Sequence, residues 1–316
     1  MFPSDVIWGF FSIAQICVGL MGNSLFFTLY MYTFLTQSYL KRPMDLVFTH
    51  LTLVYVLTIM FRLIPDTMSS LGARHFLDDV ACKATMYTYR VTRGLSICTA
   101  SLLSVFQAIT ISPSNSKWAW LKPKISTCVF PSFLFFWIIK MLLYTNVIKE
   151  LIASTNVTNV SSVYSLVYCQ TKQLKPNYSR IFISAMIFHD VFFVFLMMSF
   201  SIYMVNLLYK HRQRFQHVHS PSLSSHLSPE IKATHTILLL VNCFVFCYFS
   251  NNCITLYLLC KPEKNPRLER IPGIISSCYP TICPFVLMKN HKIISKFTSS
   301  LSRMRIIFFS QRTLSR

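Results

Sequence analysis

The chain has 316 residues, of which 53% are hydrophobic and only 13% charged, against about 25% charged in an ordinary soluble domain. With a mean hydropathy of +0.49, this excludes a disordered chain, a collagen-like chain and an ordinary cytosolic enzyme. The net charge of +20, from 30 Lys+Arg against 10 Asp+Glu, would suit nucleic acid if it formed a soluble basic face. Here the cations sit between long apolar runs, so the charge reads as membrane topology, and no nucleic-acid partner is expected.

Crossing about 30 Å of hydrocarbon takes roughly 20 apolar residues in a helix. Seven runs meet that length, at about 7–33, 46–71, 84–111, 125–148, 181–209, 233–260 and 271–288. The expected fold class is an all-α membrane protein. It is a single seven-transmembrane helix bundle covering 1–316, with a tail at 289–316. The first run lacks the basic stretch of a cleavable signal peptide and is too long for one, so it is expected to act as an uncleaved anchor. The second carries Arg62 and Asp66, four apart and able to neutralise each other. The third carries Arg90 and Arg93, the fourth Lys140 and the fifth His189 and Asp190. Charges inside a bundle are costly and are functional candidates by default. The seventh contains Pro272, Pro280 and Pro284, which membrane helices tolerate when neighbours re-satisfy the freed carbonyls.

Seven spans place the termini on opposite sides. The loops after spans one, three and five, with the tail, hold 16 of the cations, and the opposite face holds 10. The positive-inside rule then puts the N-terminus outside and the C-terminus in the cytoplasm. The loop between spans four and five agrees, because it carries sequons at Asn156, Asn159 and Asn177 that are glycosylated only on the outer side. Cys17, Cys98, Cys128, Cys243 and Cys247 lie within spans and read as small buried apolar residues. Cys82 and Cys169 both face the oxidising side, where a disulfide between them would persist. No metal-ligand spacing, phosphate-binding glycine loop or catalytic constellation appears, so no cofactor and no enzyme activity are expected.

Particular residues go beyond this general plan. Residues 89–99 read Tyr-Arg-Val-Thr-Arg-Gly-Leu-Ser-Ile-Cys-Thr, and 102–113 read Leu-Leu-Ser-Val-Phe-Gln-Ala-Ile-Thr-Ile-Ser-Pro, with Trp118-Ala119 following. Gly22-Asn23, Arg42-Pro43-Met44-Asp45-Leu46, His50-Leu51-Thr52, His211-Arg212-Gln213-Arg214, Ser228-Pro229-Glu230 and Pro284-Phe285-Val286-Leu287-Met288 are similarly distinctive. Together they resemble the vomeronasal type-1 receptor family over nearly the whole chain. Phe106-Gln107-Ala108 stands where the wider rhodopsin-like receptors carry Asp-Arg-Tyr, and their Asn-Pro-X-X-Tyr motif is missing from span seven. Both departures fit the vomeronasal family, and they mean that the usual ionic lock cannot be carried over.

The resemblance implies a plasma-membrane chemosensory receptor that binds small pheromone-like molecules and activates an inhibitory-type heterotrimeric G protein. From the residues, Arg90 and Arg93 are expected to line an outer pocket favouring an anionic or hydrogen-bond-accepting ligand, since guanidinium matches sulfate and carboxylate. The competing reading has one of them paired internally with Asp190. Tyr87, Tyr89, Phe188 and Asp190 complete the ligand candidates. Gln107, Lys210, Arg212 and Arg214 are the candidate G-protein contacts, and the same cations can meet anionic lipid. A bitter-taste-like receptor is the nearest alternative. A transporter or channel is the alternative from another class, disfavoured by the lack of an internal repeat.

Overall fold

The computed structural model describes residues 3–36, 43–73, 76–113, 115–153, 169–171, 176–218, 229–260 and 266–288. Helices α1 (Pro3–Thr36), α2 (Pro43–Ser70), α3 (Asp79–Ile111), α4 (Ile125–Glu150), α5 (Pro176–Val218), α6 (Pro229–Cys260) and α7 (Pro266–Met288) make up nearly all of it. By length and composition, α1 to α5 each contain a stretch apolar enough to cross a membrane, while the described apolar stretches of α6 and α7 are shorter. The molecule is a membrane helical bundle.

Several helices outrun the apolar runs that predict them. Helix α5 has 43 residues, about 64 Å at 1.5 Å each, roughly twice the hydrocarbon thickness. Hydropathy marks only the part that lipid must cover, whereas the helix continues until its backbone is stopped. Helix α3 starts five residues before its apolar run. Asp78 caps it there, its carboxylate accepting from the Ala81 amide at 2.8 Å, and such caps satisfy otherwise orphaned first-turn donors.

Helix α3 is the axis of the bundle. In its most apolar window 78% of residues are buried, against 17% in that of α5 and 28% in those of α1 and α4. The core gathers around it, with Leu51, Tyr55, Ile97, Leu103, Met197 and Leu240 among the buried side chains. Outward, Phe10, Phe130, Phe135, Phe195, Phe246 and Phe249 are all more than half exposed. In a membrane these face hydrocarbon, so much of the aromatic content is lipid-facing surface. Of the span cysteines, Cys98 is buried, but Cys243 and Cys247 are half-buried and Cys17 and Cys128 are exposed. A thiol is small and apolar enough to face lipid as readily as the core.

A short ladder that the all-α expectation did not include joins the helices. Strands β1 (Leu151–Ala153) and β2 (Cys169–Thr171) pair antiparallel, Ala153 opposite Cys169. The expected disulfide is present between Cys82 and Cys169, with Cα atoms 5.9 Å apart. It fastens this ladder to the first turn of α3 and marks the end of the bundle where the loop after α4 lies. Asn156 and Asn159 fall outside the described residues. Asn177 stands in the first turn of α5.

Candidate functional site

The site is built around Arg93 and Gly94 of α3. Arg93 lies 11 residues past Cys82, about 16 Å along the helix from the disulfide end. Gly94 has no side chain, and the Lys140 chain of α4 runs through that gap. A β-carbon at Gly94 would stand 2.8 Å from the lysine's Cδ, Cε and Nζ atoms. Lys140 is 0% exposed. Its ammonium donates to Asp190 Oδ1 at 3.1 Å and lies 3.0 Å from His189 Nδ1, both on α5. It also sits 5.7 Å from the Tyr144 ring centre. A fully buried cation needs this degree of compensation, because desolvating an unpaired charge costs several kcal/mol.

Lys140 is therefore the ion-pair partner of Asp190, and no arginine of α3 pairs with it as the competing reading had it. The Lys140 side chain crosses the Gly94 gap from α4 and so reaches the carboxylate on α5. Arg93 turns the other way, toward α6. Its guanidinium donates to Asn252 Oδ1 at 3.3 Å and lies over the Tyr248 ring at 5.6 Å. With the Asn251 amide oriented so that its oxygen faces Arg93, that oxygen accepts at 2.9 Å while its nitrogen donates to the Pro272 carbonyl of α7 at 2.8 Å. The orientation is assigned from the hydrogen-bond network. The Tyr248 hydroxyl reaches Asp190 Oδ2 at 3.5 Å, so one tyrosine lies between the arginine and the ion pair. Among the described residues, no carboxylate lies within ion-pair distance of Arg93.

A small cavity opens beside this cation. It has about 30 Å³ of water-sized space and is walled by Arg93, Ser96, Thr58, Tyr248, Asn251 and Ser276, among others. That holds one or two waters; pockets that take drug-sized ligands measure roughly 300–1,000 Å³.

Asp190 is joined to this site through Tyr248, and the remaining predicted ligand contacts do not line the cavity. Tyr89 is buried, with the Arg62 guanidinium 5.1 Å over its ring. The Arg62 Nε–Asp66 Oδ2 pair forms as expected at 3.1 Å, and Gly273 of α7 packs against it, leaving no room for a β-carbon. Tyr87 donates its hydroxyl to the Met141 carbonyl at 3.1 Å, and Arg90 is half-buried on α3. Phe188 is 75% exposed and is not brought to the site. It precedes Asp190 by two residues, about 200° round the helix, so one faces out when the other faces in. Among the described residues, Arg93 is the one predicted ligand contact that lines the cavity.

Below the site, His50 of α2 ties three helices. Trp137 Nε1–H of α4 donates to His50 Nε2 at 2.9 Å, and His50 Nδ1 lies 3.1 Å from Thr99 Oγ1 of α3. Thr99 gives its own proton to the Leu95 carbonyl at 2.8 Å. The imidazole proton therefore sits on Nδ1, leaving Nε2 to accept. The Phe133 ring stacks on this imidazole with centroids 4.2 Å apart. At the far end Gln107 is buried and Lys210 exposed. Arg212 and Arg214 stand on the last turns of α5, with side chains outside the described set.

Sequence reasoning flagged Arg93, Lys140 and Asp190 but missed Tyr248, Asn251 and Asn252. The adjacent asparagines were the available signal, since two amides inside an otherwise apolar run need partners.

The fold and this charged centre define a membrane helical bundle with buried ion pairs at its core. The family model for the vomeronasal organ pheromone receptor family matches residues 7–300. The chain is 35% identical to human vomeronasal type-1 receptor 3 over 305 residues, covering 95% of this chain and 96% of that protein. It is also 35% identical to human vomeronasal type-1 receptor 2, covering 93% and 74%. Against rat vomeronasal type-1 receptor 94 it is 33% identical, covering 93% and 89%. The chain belongs to the vomeronasal organ pheromone receptor family.

Proposed function

We propose that the chain is a plasma-membrane chemosensory receptor that crosses the bilayer seven times with its N-terminus outside. It takes a small pheromone-like ligand beside Arg93 and activates an inhibitory-type heterotrimeric G protein. One observation carries the ligand reading. Arg93 lines a cavity in the half of α3 nearer the disulfide, and its partners are an aromatic face and two neutral amides. A cation held in place but not neutralised favours a ligand bearing a carboxylate, a sulfate or a strong acceptor.

The small cavity supports a mechanism. A ligand of useful size enters by parting α6 from α3, because Arg93 to Asn252 and Tyr248 are contacts between those two helices. Lys210, Arg212 and Arg214 prolong α5 beyond the apolar span and suit a G-protein contact. Gln107, the fourth candidate, is buried near the same end of α3.

The test is nucleotide exchange on a co-expressed inhibitory-type G protein. The receptor carries an N-terminal epitope detected on unpermeabilised cells, and the panel contains volatile and acidic semiochemicals. A saturable response that needs the receptor supports the reading. Silence across an extended panel, with the epitope displayed and the G protein responding to a control receptor, would count against it.

A further inference from the structure

We infer that the turn between α3 and α4 is a seat for an anionic phospholipid headgroup. The turn is a short 3-10 helix, Ala119–Lys124, with no buried residue. Its side chains divide into two sets. One set is used inward. Lys122 Nζ donates to the Ser112 carbonyl at the end of α3, Ser112 Oγ lies 3.0 Å from the Tyr203 hydroxyl of α5, and Trp118 meets Phe200 of α5 edge-on at 5.7 Å. The other set is left outward. Trp120 is 63% exposed with the Lys124 ammonium 5.3 Å over its ring, and Lys117, three residues before Trp120, is exposed as well.

Three features point to lipid rather than to solvent or a soluble anion. The turn joins the ends of two apolar helices, so it stands where hydrocarbon gives way to headgroups. An exposed indole is suited to that boundary. Phe130, one to two turns into α4, is 65% exposed and offers acyl chains a surface next to the headgroup position. The charge is also one-sided, because residues 112–149 contain no Asp or Glu. Lys117 and Lys124 thus face a phosphate with no competing carboxylate from their own loop, and basic side chains beside an anionic leaflet are attracted to it. The inward set gives the seat a consequence. A headgroup held at Trp120 and Lys124 steadies the six-residue helix, which holds the end of α3 through Lys122 and whose cap residue Trp118 packs on Phe200 within α5.

The test is native mass spectrometry of the full chain released from nanodiscs of equal phosphatidylserine and phosphatidylcholine. A nanodisc offers the same lipids to both faces, so the result does not depend on the orientation proposed above. The expected result is retained phosphatidylserine in preference to phosphatidylcholine. The retained fraction should fall several-fold in Lys117→Gln/Lys124→Gln and in Trp120→Ala, and much less in Lys210→Gln. Glycerophosphoserine, the free headgroup, should not displace it. No preference for phosphatidylserine overturns the proposal, as does an equal loss in Lys210→Gln, which would mean net charge alone. Displacement by the free headgroup, or loss of G-protein exchange in the double variant with lipid retention unchanged, also overturns it.

Discussion

Lys140 passes α3 through the space that Gly94 leaves: a β-carbon on Gly94 would stand 2.8 Å from the ammonium nitrogen. The lysine belongs to α4, its carboxylate partner Asp190 to α5, and the gap between them to α3. Three helices are thus registered by one glycine. Gly94→Ala must displace Lys140 or part α3 from α4, and overpacking of this kind costs about 1–3 kcal/mol. Purified Gly94→Ala should melt several degrees below the parent. An unchanged melting temperature would show that the lysine has another route past α3.

The ion pair itself should behave asymmetrically. Lys140→Met leaves Asp190 with His189 and Tyr248 but without its cation, and Asp190→Asn leaves Lys140 charged and buried. Removing one partner of a buried pair costs about 3–5 kcal/mol, whereas replacing both with apolar residues of similar volume is often neutral. The double variant Lys140→Met/Asp190→Leu should therefore display at the surface better than either single variant, measured with the N-terminal epitope. If the double variant does worst of all, the pair is not what the two residues contribute.

Much of the architecture was readable because lipid imposes a crude rule on sequence. The apolar runs found the helices, and the expectation of an oxidising face selected Cys82 and Cys169, which the structure joins. Helix ends were less readable, since α5 continues through Lys210 to Val218 under local backbone preference, which hydropathy does not register. The site was readable only as an inventory. Arg93, Lys140 and Asp190 announce themselves as buried charges, but which cation meets the carboxylate depends on the space at Gly94 and on the rotation of α5. That same rotation turns Phe188 outward.

The His50 junction predicts a distinct phenotype. Trp137→Phe retains an aromatic ring and removes the donor to His50 Nε2, leaving a mostly buried acceptor unpaired at about 1–3 kcal/mol. Trp120→Phe, at an exposed indole, is the matched control and should cost far less in detergent. Equal melting temperatures for the two variants would mean that the His50 bond contributes nothing measurable.

The disulfide closes a separation of 87 residues. On the loop-entropy account a loop of that size gives about 4.6 kcal/mol. Cys82→Ser and Cys169→Ser should each lose most surface display, and the double variant should be no worse than either. Thiol labelling in the non-reduced parent should leave both cysteines unmodified. Labelling of either one in folded, surface-displayed receptor would refute the bond.

Arg93 offers the sharpest functional test, because charge and shape can be separated with paired ligands. Once an acidic agonist is found, its neutral methyl ester keeps nearly the same outline. A hydrogen bond to a charged group contributes about 1.5–3 kcal/mol, or roughly 10- to 150-fold in affinity. Arg93→Ala should therefore weaken the acid by at least tenfold and the ester only slightly. Arg93→Lys should recover part of the loss, since it restores a point charge but not the planar fork. Asn252→Ala, which removes a partner of the guanidinium, should fall between the parent and Arg93→Ala for the acid. Concentration–response curves in cells matched for surface epitope check all three. An equal shift of acid and ester in Arg93→Ala would mean that the arginine only shapes the wall between α3 and α6, and the anionic-ligand reading would fail with the fold intact.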